Sequence, residues 1–274
     1  MSDGNMRRVV RTWVDTPSWW FRSVAWRPTL LRVGIVLVTL SLFLGLWEAY
    51  VVITDVPSVI LPGPVDIGAA LVGLYPQLLS DAGLTALTAL LGLWFGAVVG
   101  LPLGFGMVAS RSASRTAVPY IVALRIAPLI AIAPLLFLWF GRGLLARSVL
   151  VGTLTVFPLT IATLDGLRST PPAYLDLMRS VDARPWRVFL SVRIPASAPS
   201  IFAGFKIAAT LSIIGAVVAE FLTLSGGIGY RVFRAATFLE TTESFAALVV
   251  LALLGNLFYL VPVVLERLFW TTDS

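Results

Sequence analysis

The chain contains neither cysteine nor histidine, and its one lysine is Lys206. Without cysteine there is no thiol nucleophile and no disulfide, and without histidine there is no imidazole base. With both missing, most zinc ligand sets are out of reach, and no metal site is expected. Lys206 stands between Phe205 and Ile207, so no glycine-rich loop ending in Lys and Ser or Thr can form, which excludes a P-loop nucleotide site. Charge is scarce as well: 12% of the 274 residues are charged, against roughly 25% in soluble domains.

What is present is apolar. Hydrophobic residues make up 58% of the chain, the composition of an integral membrane protein. The 20 basic residues outnumber the 14 acidic ones. In a membrane chain that excess marks cytoplasmic loops, and no nucleic-acid partner is expected. Arg7, Arg8, Arg11, Arg22, Arg27 and Arg32 precede or open the first long apolar run. That run is too long and too late for a signal-peptide core, and no small-residue cleavage site follows it, so it is expected to persist as a membrane helix.

A spanning helix needs about 20 mostly apolar residues. Six segments qualify: Leu31–Ile53, Ala82–Ala109, Val118–Phe140, Leu144–Leu164, Ile201–Leu224 and Phe245–Phe269. The expected organisation is a cytoplasmic or interfacial segment over residues 1–30, then an all-α, six-helix transmembrane domain over 31–274. Six spans put both termini on one side. On that side fall the early arginines, Arg111, Arg115, Arg168, Arg179, Arg184, Arg187, Arg193 and Arg267, with Lys206 just beyond. The other side holds Arg142, Arg147, Arg231 and Arg234. The bias makes both termini cytoplasmic.

Two linkers carry their own signals. Val56–Gln77 has neither lysine nor arginine and is rich in proline. It predicts an extracytoplasmic turn followed by a short interfacial helix, with Pro64 in the first helical turn. Thr223–Ser244 opens on "SGGIG" and predicts a short extracytoplasmic or re-entrant helix. The third span holds Pro128 and Pro134; each removes a backbone donor and bends the helix, either for packing or to line a path.

Between the fourth and fifth spans lies "YLDLMRSVDARPWRVFLSVRIP", Tyr174–Pro195, within an insert of about residues 170–195. Thr170 ahead of Pro171 and Pro172 reads as an N-cap with proline in the first turn, and Ala173–Ser180 as about two helical turns. Asp182 reads as the cap of a second helix running to about Val192, with Pro195 and Pro199 stopping it before the fifth span. Tyr174, Leu175 and Met178 fall on one side of the first helix. A helix this short is unstable alone in water, so its apolar side must dock, either on its own bundle and lipid headgroups or in a groove of a cytoplasmic partner.

The insert resembles the cytoplasmic signature loop of membrane subunits of bacterial ABC importers. That loop carries Glu-Ala-Ala, a following Gly and a closing Ile-Pro. Asp176, Leu177 and Met178 stand at the acidic-Ala-Ala positions, Asp182 at the Gly, and Ile194-Pro195 at the end, while Arg179, Ser180 and Ala183 also match. "LPGP" (Leu61–Pro64), "VVGLPLGFGM" (Val98–Met107), "LRIAPLIAIAPLLFLWFG" (Leu124–Gly141), "GAVVAEF" (Gly215–Phe221) and "GGIGY" (Gly226–Tyr230) are similar, in order, to the nitrate/sulfonate/taurine importer group. The likeness covers roughly Val56–Leu268.

The resemblance implies a type I importer permease fold and a multi-pass place in the bacterial inner membrane. It implies a translocation role, with Tyr174, Leu175, Asp176, Leu177, Met178, Arg179, Ser180, Asp182 and Ala183 coupling to the ATPase. The partners it implies are two ATP-binding cassette subunits, which carry the ATP and magnesium, a second permease copy in a homodimer, and an extracytoplasmic solute-binding protein. The solute it implies is a sulfonate-, taurine- or nitrate-like anion, or a pyrimidine or flavin precursor. Two departures stand out: the bulky Leu177-Met178 pair and Asp182 in place of Gly. Asp tolerates a left-handed backbone better than most residues, so the turn is expected to survive.

Polar groups within spans are candidates for the path. Arg125 opens the third span and either pairs and snorkels or faces the path. Glu220 either faces the cavity or reaches the outer interface. Asn256 reads as interhelical glue, and Trp139 either lines the path or packs. Two rival classes stand against transport. One is a membrane-embedded lipid-modifying enzyme, for which Asp165, Asp176 and Asp182 are the available carboxylates; the other is a channel, which would conduct without ATP.

Overall fold

The computed structural model describes residues 29–109 and 129–269 of the chain. Every regular element among the described residues is helical: α1 (Thr29–Thr54), α2 (Pro64–Gly73), α3 (Tyr75–Ala109), α4 (Leu129–Phe140), α5 (Leu144–Arg168), α6 (Pro172–Ser180), α7 (Pro185–Val188), a π turn (Phe189–Arg193), α8 (Ile194–Thr223), α9 (Ile228–Thr237) and α10 (Thr241–Phe269). In hydrocarbon each backbone polar group must be satisfied within the chain, and helices do this segment by segment. Among the described residues five helical stretches are long and apolar enough to span a membrane: Gly34–Thr54, Tyr75–Val108, Leu144–Arg168, Pro185–Thr223 and Thr241–Phe269. The expected third span, Val118–Phe140, is described from Leu129 onward as α4; its first half lies outside the described residues.

The chain divides after Val56. The first unit contributes α1, whose threonines Thr39 and Thr54 bond back to the carbonyls of Ile35 and Tyr50. Its Phe43 and Trp47 rings meet edge to face at 6.1 Å. The helix stops at Asp55, which takes a left-handed φ of 49°, with Val56 N–H bonding to Val51 O.

The second unit is organised around α3, α5 and α8, with α10 packed on α8 and α9. Apolar burial drives little helix association in lipid, where the tails are as apolar as the side chains, so close backbone approach must supply the contact. Gly92, Gly96, Gly100 and Gly104 put a glycine on the same face of α3 at every fourth residue, and this face lies on α5. A Cβ at Gly96 would collide with Thr155, one at Gly100 would lie 2.8 Å from Val156 O, and one at Gly104 would lie 2.6 Å from Thr163 Cβ. On α8, Gly204 meets Ala162 and Gly215 meets Leu154 and Val151. The buried threonines of this core do not strand their hydroxyls: Thr88, Thr160 and Thr163 donate to Leu84 O, Val156 O and Leu159 O, four residues back on their own helices. Ala89, Val151, Ile213 and Ala216 form the apolar centre, flanked by Leu251, Leu254 and Phe258 of α10. Lys206 pairs with Glu266, tying α8 to α10.

The two linker helices form as expected. α2 starts at Pro64 with proline in the first turn, and α9 occupies the segment after the glycines. Three boundaries differ from expectation. α3 starts at Tyr75, because only Leu74 separates it from α2. Thr170 is not a cap: its hydroxyl bonds back to Leu167 O, and Pro171 holds the N-cap position of α6. Pro195 and Pro199 do not end the second insert helix. Pro195 falls in the first turn of α8 and Pro199 lies inside it; the π turn just before carries Ile194 N–H to Phe189 O, so the regular ladder is already interrupted where Pro195 stands.

Candidate functional sites at the two membrane faces

On the cytoplasmic side, α6 and α7 form the helix–turn–helix that the insert predicts, but Arg184 rather than Asp182 holds the N-cap of α7, and the helix gives way to the π turn after Val188. The turn is a Schellman closure of α6: Ala183 N–H bonds to Met178 O and Asp182 N–H to Arg179 O, both at 3.0 Å. Asp182 occupies the left-handed position with φ 46°, where glycine is the usual residue. The departure at Asp182 is therefore accommodated without losing the turn.

The helix has two unlike faces. Tyr174, Leu177 and Val181 are 55%, 62% and 65% exposed. With the half-buried Met178 they follow the i, i+3, i+4, i+7 spacing of one helical stripe. Leu175, grouped with Tyr174 and Met178 on sequence, points the other way. It lines a cleft of about 630 Å³ with Phe105 of α3, Arg179, Ala183, Phe189 and Arg193, and Phe105 and Phe189 meet edge to face at 5.8 Å. Thus Leu175, Arg179 and Ala183 border the cleft between the insert and the bundle, while Leu177, whose bulk departs from the usual alanine, joins the outward stripe. Asp176 and Arg179 pair at 2.9 Å, both well exposed, and Ser180 donates to Leu177 O. Arg187 lies 5.3 Å over the Trp186 ring, giving α7 a basic, partly apolar surface.

On the extracytoplasmic side, Glu220 neither faces a cavity nor reaches the interface. It is fully buried at the junction of α8 with α9, and its Oε2 accepts the N–H of Gly229 at 2.8 Å. A carboxylate at a helix N-terminus complements the dipole and takes up a donor that would otherwise be orphaned. The "GGIG" run has its physical reason here. Gly227 (φ 99°) lies so close that any Cβ would run into the Glu220 carboxylate, and a Cβ at Gly229 would lie 2.8 Å from its Oε2. Thr85 of α3 accepts the N–H of Ile228 at 2.9 Å.

Around this point runs an ion-pair chain that sequence reading missed. Arg231 of α9 joins Asp81 of α3 to Glu243 of α10, and Glu243 also takes Arg234 at 2.6 Å. Burial works against the charge of Arg231, but Asp81 and Glu243 outweigh it and raise its affinity for the proton. The available signal was the three-residue spacing of Arg231 and Arg234 within α9 and of Glu240 and Glu243 just after it, with the partner on α3 some 150 residues away in sequence.

The remaining path candidates scatter. Pro134 lines a cleft of about 360 Å³ with Phe137, Leu138, Arg142 and Leu222. Trp139 is exposed near the end of α4. Asn256 bonds to Ala252 O on its own helix rather than across to another. Arg125 and Pro128 lie outside the described residues. Among the described residues no group of three or more acidic side chains is placed to hold a metal.

Comparison with known proteins gives a consistent set. Residues 92–269 match the family described as binding-protein-dependent transport system inner membrane component. A Haemophilus influenzae protein named as an ABC transporter permease is 34% identical over 88% of this chain and 96% of its own length. A formylaminopyrimidine transport permease protein of Halalkalibacterium halodurans is 33% identical over 72% of this chain and 80% of its own. An Escherichia coli protein named as an aliphatic sulfonates transport permease is 32% identical over 91% of this chain and 92% of its own. The fold also matches a chain of the inward-facing MetNI methionine ABC transporter with a TM-score of 0.64, at 19% identity, covering 71% of this chain and 97% of that one.

Proposed function

Because the chain belongs to the family of binding-protein-dependent transport system inner membrane components, we propose that its α6–α7 insert transmits the work of a separate ATPase and that a second copy completes the solute path. The chain is the membrane permease subunit of an ABC importer with a type I permease fold. What supports the coupling reading is one observation: an outward apolar stripe of Tyr174, Leu177 and Val181 on a short, charged helix whose other side borders a cleft towards α3 and the π turn. Such a stripe suits insertion into a groove of a partner. A rigid turn, closed by Asp182, would pass a partner's movement to α8 through α7 and the π turn, shifting the permease between inward and outward access.

ATP and magnesium belong on that partner, since no P-loop is possible here. The remaining partners in this reading are two ATPase subunits, a solute-binding protein outside, and the bacterial inner membrane around a permease homodimer. Co-purification from cells expressing the chain with an ATP-binding cassette ATPase of the same importer tests the reading. Leu177→Arg is expected to release the ATPase, and full retention of ATPase and of transport by that variant would refute it.

For the solute, a small sulfonate-like anion fits the Escherichia coli relative, which covers more of this chain, and a pyrimidine precursor fits the Halalkalibacterium one. Titration of the adjacent secreted binding protein with taurine and with formylaminopyrimidine separates them.

A further inference from the structure

Arg147 begins α5 on the extracytoplasmic side and is only 5% exposed. Its Nη2 donates to both the carbonyl and the hydroxyl of Ser225, in the corner that joins α8 to α9. Its Nε and Nη1 are equally buried and have no acceptor. Close by, the Oε1 of Glu220 is buried with no donor while the Thr85 hydroxyl bonds back to Asp81 O at 3.1 Å; that hydroxyl also lies beside the Glu220 carboxyl. A buried donor or acceptor without a partner destabilises the arrangement that holds it. Here idle donors on the Arg147 guanidinium and an idle oxygen of the Glu220 carboxyl share one buried junction, and the two groups are electrostatically coupled.

The corner between them is built to turn. Leu224, Gly226 and Gly227 hold φ values of 51°, 64° and 99°, so three of the four residues between α8 and α9 sit in backbone regions that ordinary helices and extended chain do not use. In this arrangement Arg147 lies at the C-terminal end of α8 and Glu220 at the N-terminal end of α9, each complementing that helix's dipole while standing at the unfavourable end of its own helix. Each therefore has a reason to stay where it is, and a reason to pair with the other.

We infer that Arg147 is a positioning residue of the transport cycle. It fastens the 224–227 corner to α5 through Ser225 in the arrangement seen here, and it exchanges Ser225 for Glu220 when the corner swings away from the bundle. The exchange satisfies idle atoms on both side chains and pairs two buried groups that, in the arrangement seen here, are held by neutral partners alone, Arg147 by Ser225 and Glu220 by Gly229.

The chain has no cysteine of its own, so a single Thr223→Cys substitution makes a clean reporter. Thr223 is buried in the last turn of α8, and its hydroxyl bonds only within that helix. Its rate of labelling by a membrane-impermeant maleimide, in right-side-out membrane vesicles, reads the opening of the corner. Adding Ser225→Ala, an exposed change that leaves every buried charge in place, is expected to raise the rate about fivefold, the effect of one lost hydrogen bond. Adding Glu220→Gln is expected to lower it. The amide oxygen still accepts from Gly229, but the swung state loses the anion that Arg147 would take. A residue that only held the fold together would give the opposite sign. No change with Ser225→Ala, or an unchanged or faster rate with Glu220→Gln, overturns the exchange, as does a parent reporter that labels as fast as a free thiol. If Glu220→Gln fails to reach the membrane, Ser225→Ala still overturns the exchange when it leaves the rate unchanged.

Discussion

The hydroxyl of Thr155 on α5 reaches across to the backbone carbonyl of Gly92 on α3 at 3.1 Å, and it can do so because Gly96, one turn on, presents no side chain to keep the helices apart. Gly96→Leu is expected to cost about 3 kcal/mol or more, since both the Thr155 side chain and its backbone stand in the way. Gly106→Leu, which adds bulk to the same helix where nothing lies within 4 Å, is expected to leave stability almost unchanged. Thermal unfolding of the detergent-solubilised variants compares the two.

Leu177→Arg and Leu175→Ala separate the two faces of α6. The first puts a charge into an apolar contact and is expected to weaken ATPase association by about tenfold or more with the permease fold intact. The second removes apolar contact inside the cleft beside Phe105 and is expected to lower the stability of the permease first. Binding of the ATPase and melting of the permease, measured on the same preparations, distinguish them.

Asp182 tests the turn. Asp182→Gly keeps the left-handed position open and is expected to preserve coupling, whereas Asp182→Val is expected to cost about 1–2 kcal/mol from the clash of a β-branched side chain at positive φ. If Asp182→Val couples transport to ATP hydrolysis as well as Asp182→Gly does, the turn is not a rigid transmitter.

The ion pairs divide by burial. Arg231→Met leaves Asp81 without its guanidinium in a mostly buried setting and is expected to destabilise the outer end of the bundle by about 3 kcal/mol. Arg179→Ala breaks a pair whose side chains are 79% and 66% exposed and is expected to change stability by roughly 0.5 kcal/mol or less. Melting curves at low and high salt check both.

Much of the architecture is legible one segment at a time, because its causes are local. Apolar length gives the spans, arginine bias gives their orientation, and Pro64 and Asp182 mark a helix start and a turn through their own backbone preferences. The errors are also local rules overridden by neighbours. Thr170 has the chemistry of a cap, but its hydroxyl finds Leu167 O first. Pro199 has the chemistry of a helix end, but packing of Ser197 and Ser200 against Gly166 keeps α8 running through it.

Sequence alone determined that this is a multi-pass membrane chain with a charged amphipathic insert and no P-loop. Those properties follow from composition, length and spacing, and they do not depend on which residues meet. Only the tertiary structure decided that the glycines of α3 lie on α5, that Leu177 rather than Leu175 faces outward, and that Glu220 holds the start of α9 instead of lining a cavity. Each of these rests on a contact between segments far apart in the chain. The residue types involved, glycine, leucine and glutamate, serve equally well in lipid-facing, packed or solvated places until a partner is brought against them.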